Sequence, residues 1–271
     1  MKKKDTLTDI AIVLPVYNGE QYITQCIESI LKQTYTHFKL IIVNDASTDS
    51  TAHILQKYAT QDVRIQLLTH KRNKGIAHAL NTGLTHTTQF TFIARIDSDE
   101  FMNSKRLELQ RDFLLHNPKI GIVGSYVKHT TKGVRNYPTT DLKLKKFMFY
   151  LAPFAHGSVL MRRSLLSEYG AYNTKLTSCE DLELWLRFGV HTQFANIPRP
   201  LTIQQHTRNS MTDTKTHDML KLATQLRESY VQQYAKYISL RTKTYLLFVK
   251  ILLFLPAKLV QKIYDVLRFR K

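Results

Sequence analysis

Acidic side chains are scarce in this 271-residue chain: 21 Asp and Glu stand against 39 Lys and Arg, a formal charge of +18. Cysteine is scarcer still. Cys26 and Cys179 are the two present, and neither falls in a CxxC or Cys/His metal spacing. They read as two reduced, buried thiols of a cytoplasmic protein. No stretch of about 20 apolar residues exists, so no transmembrane helix is expected. The basic start, Met-Lys-Lys-Lys-Asp, leads into a short apolar run at 10–16 that ends in Pro-Val-Tyr-Asn-Gly. That is the pattern of a first strand, not of a signal peptide. No internal repeat or low-complexity linker interrupts the chain, so residues 1–215 are expected to form one domain and 216–271 a helical extension.

What is present is ordinary in hydrophobicity, at 43%, and unusual in charge. Residues 241–271 hold eight Lys or Arg and one Asp, a net of +7 that leaves +11 for the rest. Such a balance calls for an anionic partner: nucleic acid, an anionic membrane surface or a phosphorylated substrate.

The apolar pattern alternates between strand and helix. Strands are expected at 10–16, 39–43, 64–68, 90–96 and 119–123. Helices are expected at 19–33, 48–58, 75–87 and 104–116. This order predicts a parallel sheet with helices on both faces, whose ligands sit at the carboxyl ends of the strands. Four polar clusters fall at those ends: Pro15 to Asn18, Asp45 to Asp49, His70 to Gly75 and Asp97 to Glu100. Residues 124–155 read as irregular, 156–161 as a strand and 179–188 as a helix. In the tail, 245–255 is apolar all round except Lys250 and stops at Pro256. Residues 257–271 then set Leu259, Val260, Ile263, Tyr264 and Leu267 on one face with Lys258, Lys262 and Arg268 mostly away from it. This is the pattern of a membrane-surface anchor, or of a helical pair packed on the domain or on a second subunit. The two can coexist.

Asp97-Ser98-Asp99 closes a buried strand. Carboxylates two apart, where the backbone begins to turn, can both reach one Mg²⁺ or Mn²⁺ ion, which takes its remaining ligands from substrate phosphates. Glu180-Asp181 opens a helix, either as acids on the helix dipole or with one carboxylate as a general base. His206, Arg208 and Ser210 offer one metal ligand and two phosphate donors on a loop.

The order Leu-Pro-Val-Tyr-Asn-Gly-Glu, Gln-Thr-Tyr, Ile-Ile-Val-Asn-Asp-Ala-Ser-Thr-Asp, Asn-Lys-Gly-Ile-Ala, Ala-Arg-Ile-Asp-Ser-Asp, His-Gly-Ser-Val-Leu-Met-Arg-Arg and Glu-Asp-Leu-Glu-Leu-Trp-Leu-Arg resembles the family 2 inverting glycosyltransferases of GT-A fold. The match spans residues 8–210. The resemblance implies a nucleotide-sugar donor, a UDP-sugar above all. Pro15, Val16, Tyr17 and Asn18 would border the base pocket, and Asp45 would accept a hydrogen bond from the nucleobase. Arg72 and Asn73 would approach the nucleotide, Arg95 and Ser98 the diphosphate, with Glu180, Arg208 and Ser210 also on the donor side. It implies Asp99 as the main metal ligand, Asp97 shared between metal and ribose, and His206 as a further ligand. Asp181 would be the base that deprotonates the acceptor hydroxyl. Two departures stand out: Ala79-Leu80 precedes Asn81, where relatives often carry a basic residue, and Glu100 stands where Asp is common.

With the basic tail, the resemblance implies an enzyme on the inner face of the cytoplasmic membrane. It would move a hexosyl or N-acetylhexosaminyl group to a lipid-linked or anionic cell-surface glycan of lipopolysaccharide, capsule or teichoic type, and would have no nucleic-acid partner. A nucleotidyltransferase would want a Gly-rich loop with a basic residue near the first strand, and Pro15 to Gly19 has none. A basic membrane- or nucleic-acid-binding protein would fit the charge but leave the acidic strand ends unexplained.

Overall fold

The structure, a computed structural model, describes residues 8–205, 216–255 and 259–260. Its first half follows the expected alternation: β1 (Ile10–Val16), α1 (Ile23–Leu31), β2 (Phe38–Asn44), α2 (Thr51–Gln61), β3 (Ile65–Thr69), α3 (Ile76–Thr85) and β4 (Phe92–Arg95). These strands pair in parallel in the order β3-β2-β1-β4, with Ile12 opposite Leu40 on one side and Ala94 on the other.

Every residue of β1 is buried, as expected of a strand covered on both faces. Its side chains alternate between two cores. Ile10, Ile12, Leu14 and Val16 pack with Ile23, Ile27 and Leu55 from α1 and α2. Ala11 and Val13 pack with Leu80 and Leu84 of α3 on the opposite face.

The second half breaks the parallel rule. It comprises β5 (Glu100–Met102), α4 (Arg106–His116), β6 (Ile120–His129), β7 (Gly133–Arg135), α5 (Asp141–Phe147), β8 (Leu160–Arg162), α6 (Ser164–Tyr169), α7 (Glu180–Gly189) and β9 (Gln193–Gln204). β8 inserts antiparallel between β4 and β6, β9 runs parallel to β6, and β5 closes the far edge antiparallel to β9. The sheet is therefore mixed but mostly parallel, with helices on both faces.

Several expectations shift. The 90–96 strand is shorter, so Asp97 lies two residues beyond the last paired residue, Arg95. The 156–161 strand is a single 3₁₀ turn, His156–Ser158, followed by β8. The stretch read as irregular contains the β6–β7 hairpin and α5. β9 escaped notice because Pro198 and Pro200 interrupt its pattern. Its register against β6 slips there: Ser125 faces Ile197 and the next residue, Tyr126, faces Pro200. Proline cannot donate to a ladder, and an irregular pairing accommodates it.

The tail folds onto this body. α8 (Thr216–Ser229) and α9 (Leu240–Leu252) follow β9. Ala223, Tyr234 and Leu246 join the same core as Val13 and Trp185. Ser239 caps α9, its hydroxyl accepting from the Thr242 amide at 3.2 Å. Among the described residues no helix is long and apolar enough to cross a membrane.

α3 lies close on the sheet because Gly83 has no side chain. A Cβ there would stand 2.6 Å from a Val13 methyl and 3.3 Å from one of Val43. Gly→Ala within a helix gains about 1 kcal/mol from propensity, whereas overpacking a tight core costs about 1–3 kcal/mol. Val13 is β-branched and fully packed, so the second effect wins. Gly83→Ala is expected to lower the urea midpoint of unfolding, and Gly83→Val to lower it further.

Candidate active site

The carboxyl ends of β1 to β4 open on one cleft of about 640 Å³, within the range of small-molecule sites. Pro15, Val16 and Tyr17 form one wall, and Asn73 to Ala79 a second. Asp97 and Ser98 lie at the head of β4, and Thr174, Leu176 and Thr177 on the far side.

The loops are held by polar locks. Asn18, at φ +50°, accepts from the Thr48 amide at 2.8 Å, while its own amide donates to the Ser47 hydroxyl at 3.0 Å. Asn18 thus ties the β1 loop to the β2 loop instead of lining the cleft. Asp45 is 3% exposed. Its carboxylate accepts from the Gly75 amide at 2.8 Å, from the Lys74 amide at 3.0 Å and from Nδ1 of His70 at 2.6 Å. Nε2 of His70 meets the Thr82 hydroxyl at 2.9 Å. Most of the four or so lone-pair positions of a carboxylate are spent on shaping the 70–75 loop, and Asp45 lines the cleft as well. Asn73 lines the cleft, whereas Arg72 is exposed outside the lining.

At the end of β4 four charged side chains share one buried space. Arg95, 2% exposed, grips Asp97 through both terminal nitrogens, while its Nε has no hydrogen-bond partner. Arg106, fully buried on α4, donates to the carbonyls of Gly157 at 2.7 Å, Arg95 at 2.9 Å and Val159 at 3.0 Å. Glu100 is buried against both. Burial first, then Asp97, pushes its carboxyl up to about 8, and burial pulls Arg106 down to about 10. Gly157 makes room: a Cβ there would lie 1.5 Å from Oε2 of Glu100.

Asp99 has no ion-pair partner among the described residues, and burial with the neighbouring Asp97 raises it to about 6. An oxygen pair whose charges repel, one member clamped by Arg95 and the other without a cation, fits a Mg²⁺ or Mn²⁺ ion. Among the described residues no three His, Cys, Asp or Glu converge as a metal cage, so substrate phosphates would complete the coordination. His206, Arg208 and Ser210 lie outside the described residues.

Glu180 and Asp181 begin α7 behind Cys179, which sits at φ +58°. Burial raises both carboxyls. Glu180 reaches about 7, helped by the charge of Asp181 and opposed by Arg95. Asp181 is raised as well, against the Leu182 amide, which donates to it at 2.7 Å, and against Arg95. Asp181 lines a second cavity of about 150 Å³ with Tyr150, Leu182 and, from α8, Met219, Leu220 and Ala223. Arg95 and Asp97 act electrostatically on both α7 carboxyls, so the charge cluster at the head of β4 reaches the side chain that lines the second cavity.

Several site residues carried no clear sequence signal. Lys74 and His78 line the donor-side cleft. Asn81 clamps Tyr172 through both amide atoms, at 2.8 and 3.0 Å, and so pins the strip leading to Thr174 to Thr177. The Tyr172 hydroxyl meets Nε2 of His156 at 2.8 Å. Burial and Arg95 hold His156 well below its ordinary value, so its imidazole is neutral.

The sequence profile of Glycosyl transferase family 2 matches residues 11–170. The chain belongs to glycosyltransferase family 2. This family 2 chain is 35% identical over 186 residues to EpsE of Bacillus subtilis (strain 168), whose name assigns it to the glycosyltransferases; the match covers 66% of each chain. It is 38% identical over 117 residues to WfgD of Escherichia coli, named a UDP-Glc:α-D-GlcNAc-diphosphoundecaprenol β-1,3-glucosyltransferase. That match covers 43% of this chain and 45% of WfgD. The chain thus spans between about half and two thirds of these relatives. Its fold is that of Staphylococcus aureus TarS 1-349, solved in complex with UDP-GlcNAc, at TM-score 0.68 and 19% identity over 84% of this chain and 71% of that one. The family 2 fold is thereby GT-A, as the resemblance implied.

The Glu180 carboxyl holds its proton to about pH 7 in the folded chain but only to about 4.5 when unfolded. The folded state binds more protons between those values, so this group's contribution to stability is full below about pH 4.5 and is lost as pH rises through about 7. Glu180→Gln, which cannot ionise, is expected to lose less stability than the native chain between pH 4.5 and 7.5, read as urea midpoints across that range.

Proposed function

We propose that this chain is an inverting, metal-dependent glycosyltransferase that moves a hexosyl or N-acetylhexosaminyl group from a UDP-sugar to a hydroxyl of a lipid-linked cell-surface glycan. The observation that carries the reading is the pairing of two cavities on one electrostatic cluster: a nucleotide-sized cleft at the heads of β1 to β4, and a smaller one lined by Asp181.

In this reading Tyr17, half exposed on the cleft wall, stacks on the base, with Pro15 and Val16 beneath it and Asn73 beside it. Asp45 positions the 70–75 loop for that contact. Lys74 supplies a cation on the donor side where Ala79-Leu80 offers none. Asp97, held by Arg95, reaches the ribose. A Mg²⁺ or Mn²⁺ ion on Asp99 and Asp97 would neutralise charge on the leaving diphosphate.

Asp181 accepts the proton of the acceptor hydroxyl. The oxygen's electron pair forms the new bond to the anomeric carbon from the face opposite the diphosphate, and the old bond's electrons leave with UDP. Configuration inverts in that single displacement. Asp181, steadied by the hydrogen bond from the Leu182 amide, is the base in this reading, with Glu180 beside it. The cavity beside Asp181 is walled by Tyr150, Leu182 and α8, as suits the apolar face of an acceptor sugar. The excess of cations in 241–271 supports an acceptor presented at an anionic membrane surface on its cytoplasmic side. The donor named for WfgD and the ligand in the TarS complex support UDP, and the acceptor named for WfgD supports a lipid diphosphate.

Screening UDP-, GDP- and dTDP-sugars for Mn²⁺-dependent hydrolysis should pick out a UDP-sugar. With that donor and a lipid-linked glycan, Asp181→Ala should lower transfer by about 10²–10⁴-fold, the usual worth of a general base, while UDP binding by calorimetry stays intact. Full transfer by Asp181→Ala would remove the base assignment. Mn²⁺ with UDP should raise the Tm of the native chain and leave that of Asp99→Asn unmoved; equal shifts in both would take the metal away from Asp99.

A further inference from the structure

Seven of the thirteen exposed large apolar side chains among the described residues lie between Leu240 and Leu259. On α9 they are not scattered. At about 100° per residue, Leu240, Leu247 and Ile251 form a line, with Phe248 beside it. The next residues, Phe254 and Leu255, lie where the same turn would carry them onto this sector, about 120° wide. The opposite side of α9 carries Thr242, Leu246, Val249 and Leu252, all buried against the body. One helix thus has two apolar faces, and only one is covered.

Cations border the uncovered face. Arg241 falls on one flank, and Lys243 and Lys250 on the other. Arg241 and Lys243 are exposed and have no ion-pair partner among the described residues, while Lys250 reaches Glu228 at 2.5 Å. An apolar sector edged by long basic side chains is the arrangement of a helix lying in a membrane interface, stems on the hydrocarbon and charges at the headgroups. A second copy of the chain is a poorer occupant. A two-fold contact through this face would set the same cations against each other, within a segment of net charge +7.

We propose that the outward face of α9 docks on an anionic lipid bilayer. The geometry adds an orientation. Tyr150, which lines the Asp181 cavity, meets the Thr242 hydroxyl of α9 at 2.9 Å and packs its ring on Tyr245 at 4.8 Å between centroids. The docked helix therefore braces the wall of that cavity and holds it close to the bilayer surface. That consequence rests on the transferase reading; the docking itself does not.

The test is sedimentation of the full chain with phosphatidylcholine vesicles, with and without about one third phosphatidylglycerol, where charge attraction adds to apolar burial. The native chain is expected to bind the anionic vesicles and to leave the neutral ones largely unbound. Leu247→Glu/Phe248→Glu/Ile251→Glu should weaken anionic binding by about tenfold or more, and Arg241→Glu/Lys243→Glu should abolish the preference for anionic lipid. These side chains are exposed, so circular dichroism and Tm should match the native chain. Native-like binding by the triple variant, absence of native binding, or a native dimer that the triple variant turns into monomer would each overturn the proposal. UDP-sugar hydrolysis without vesicles reports on the transferase reading alone, so the two can fail separately.

Discussion

The grip of Arg95 on Asp97 is the constraint around which the site is arranged. A guanidinium that is 2% exposed is costly to bury unless it is paired and its hydrogens are used. Here Arg95 ends a fully buried strand and Asp97 lies two residues past it, where the chain leaves the sheet. The consequence is directional. Asp97 can point only where Arg95 holds it, Asp99 has no ion-pair partner among the described residues, and Glu100 is turned inward. Gly157 exists in this architecture as the space into which Glu100 turns.

Arg106 extends that logic. Its four hydrogen bonds go to backbone carbonyls of Gly157, Arg95 and Val159 and to the Gln110 side chain at 3.0 Å. It therefore stitches α4 to the end of β4 and to the turn that leads into β8. Positive charge inside the sheet offsets the acidic rim that a nucleotide diphosphate and a cation would need. The site's carboxyls are raised chiefly by burial, with their mutual repulsion adding to it, so a cation bound among them would relieve unfavourable charge.

The sequence showed the elements that repeat a simple period and hid those that do not. β1, β2 and the helices α1 to α3 are buried on fixed faces, so their apolar spacing is legible, and with them the rim that holds Pro15, Asp45, Asn73 and Asp97. β9 was hidden because Pro198 and Pro200 fall inside a strand whose ladder slips to admit them. α8 falls within the helical extension expected at 216–271, but its few apolar residues gave it no bounds of its own. Arg106 and Gln110 looked like surface residues of an ordinary helix; only tertiary packing reveals that they point into the sheet. Arg95 was legible as a cation next to the diphosphate region, but its burial makes it a positioning residue for Asp97. Asn18 and Asp45 were legible as polar strand-end residues, while their hydrogen-bond partners, set by loops 29 or 30 residues away in sequence, were not.

Of the two readings of the tail, the packed helical pair describes α8 and α9, while most of the amphipathic stretch expected at 257–271 lies outside the described residues. The tail's apolar residues fit a helix packed on the domain, and its cations fit an anionic surface. A helix has room for both because its circumference can be divided: Thr242, Leu246 and Val249 on the inner side, Leu247 and Ile251 on the outer. The inner face fixes the angle at which the outer one is shown, and Tyr150 links that angle to the cavity of Asp181. In the proposed docking, surface attachment and the placement of the Asp181 cavity would be set by one rigid element, whereas a flexible anchor would leave the orientation of the cavity free.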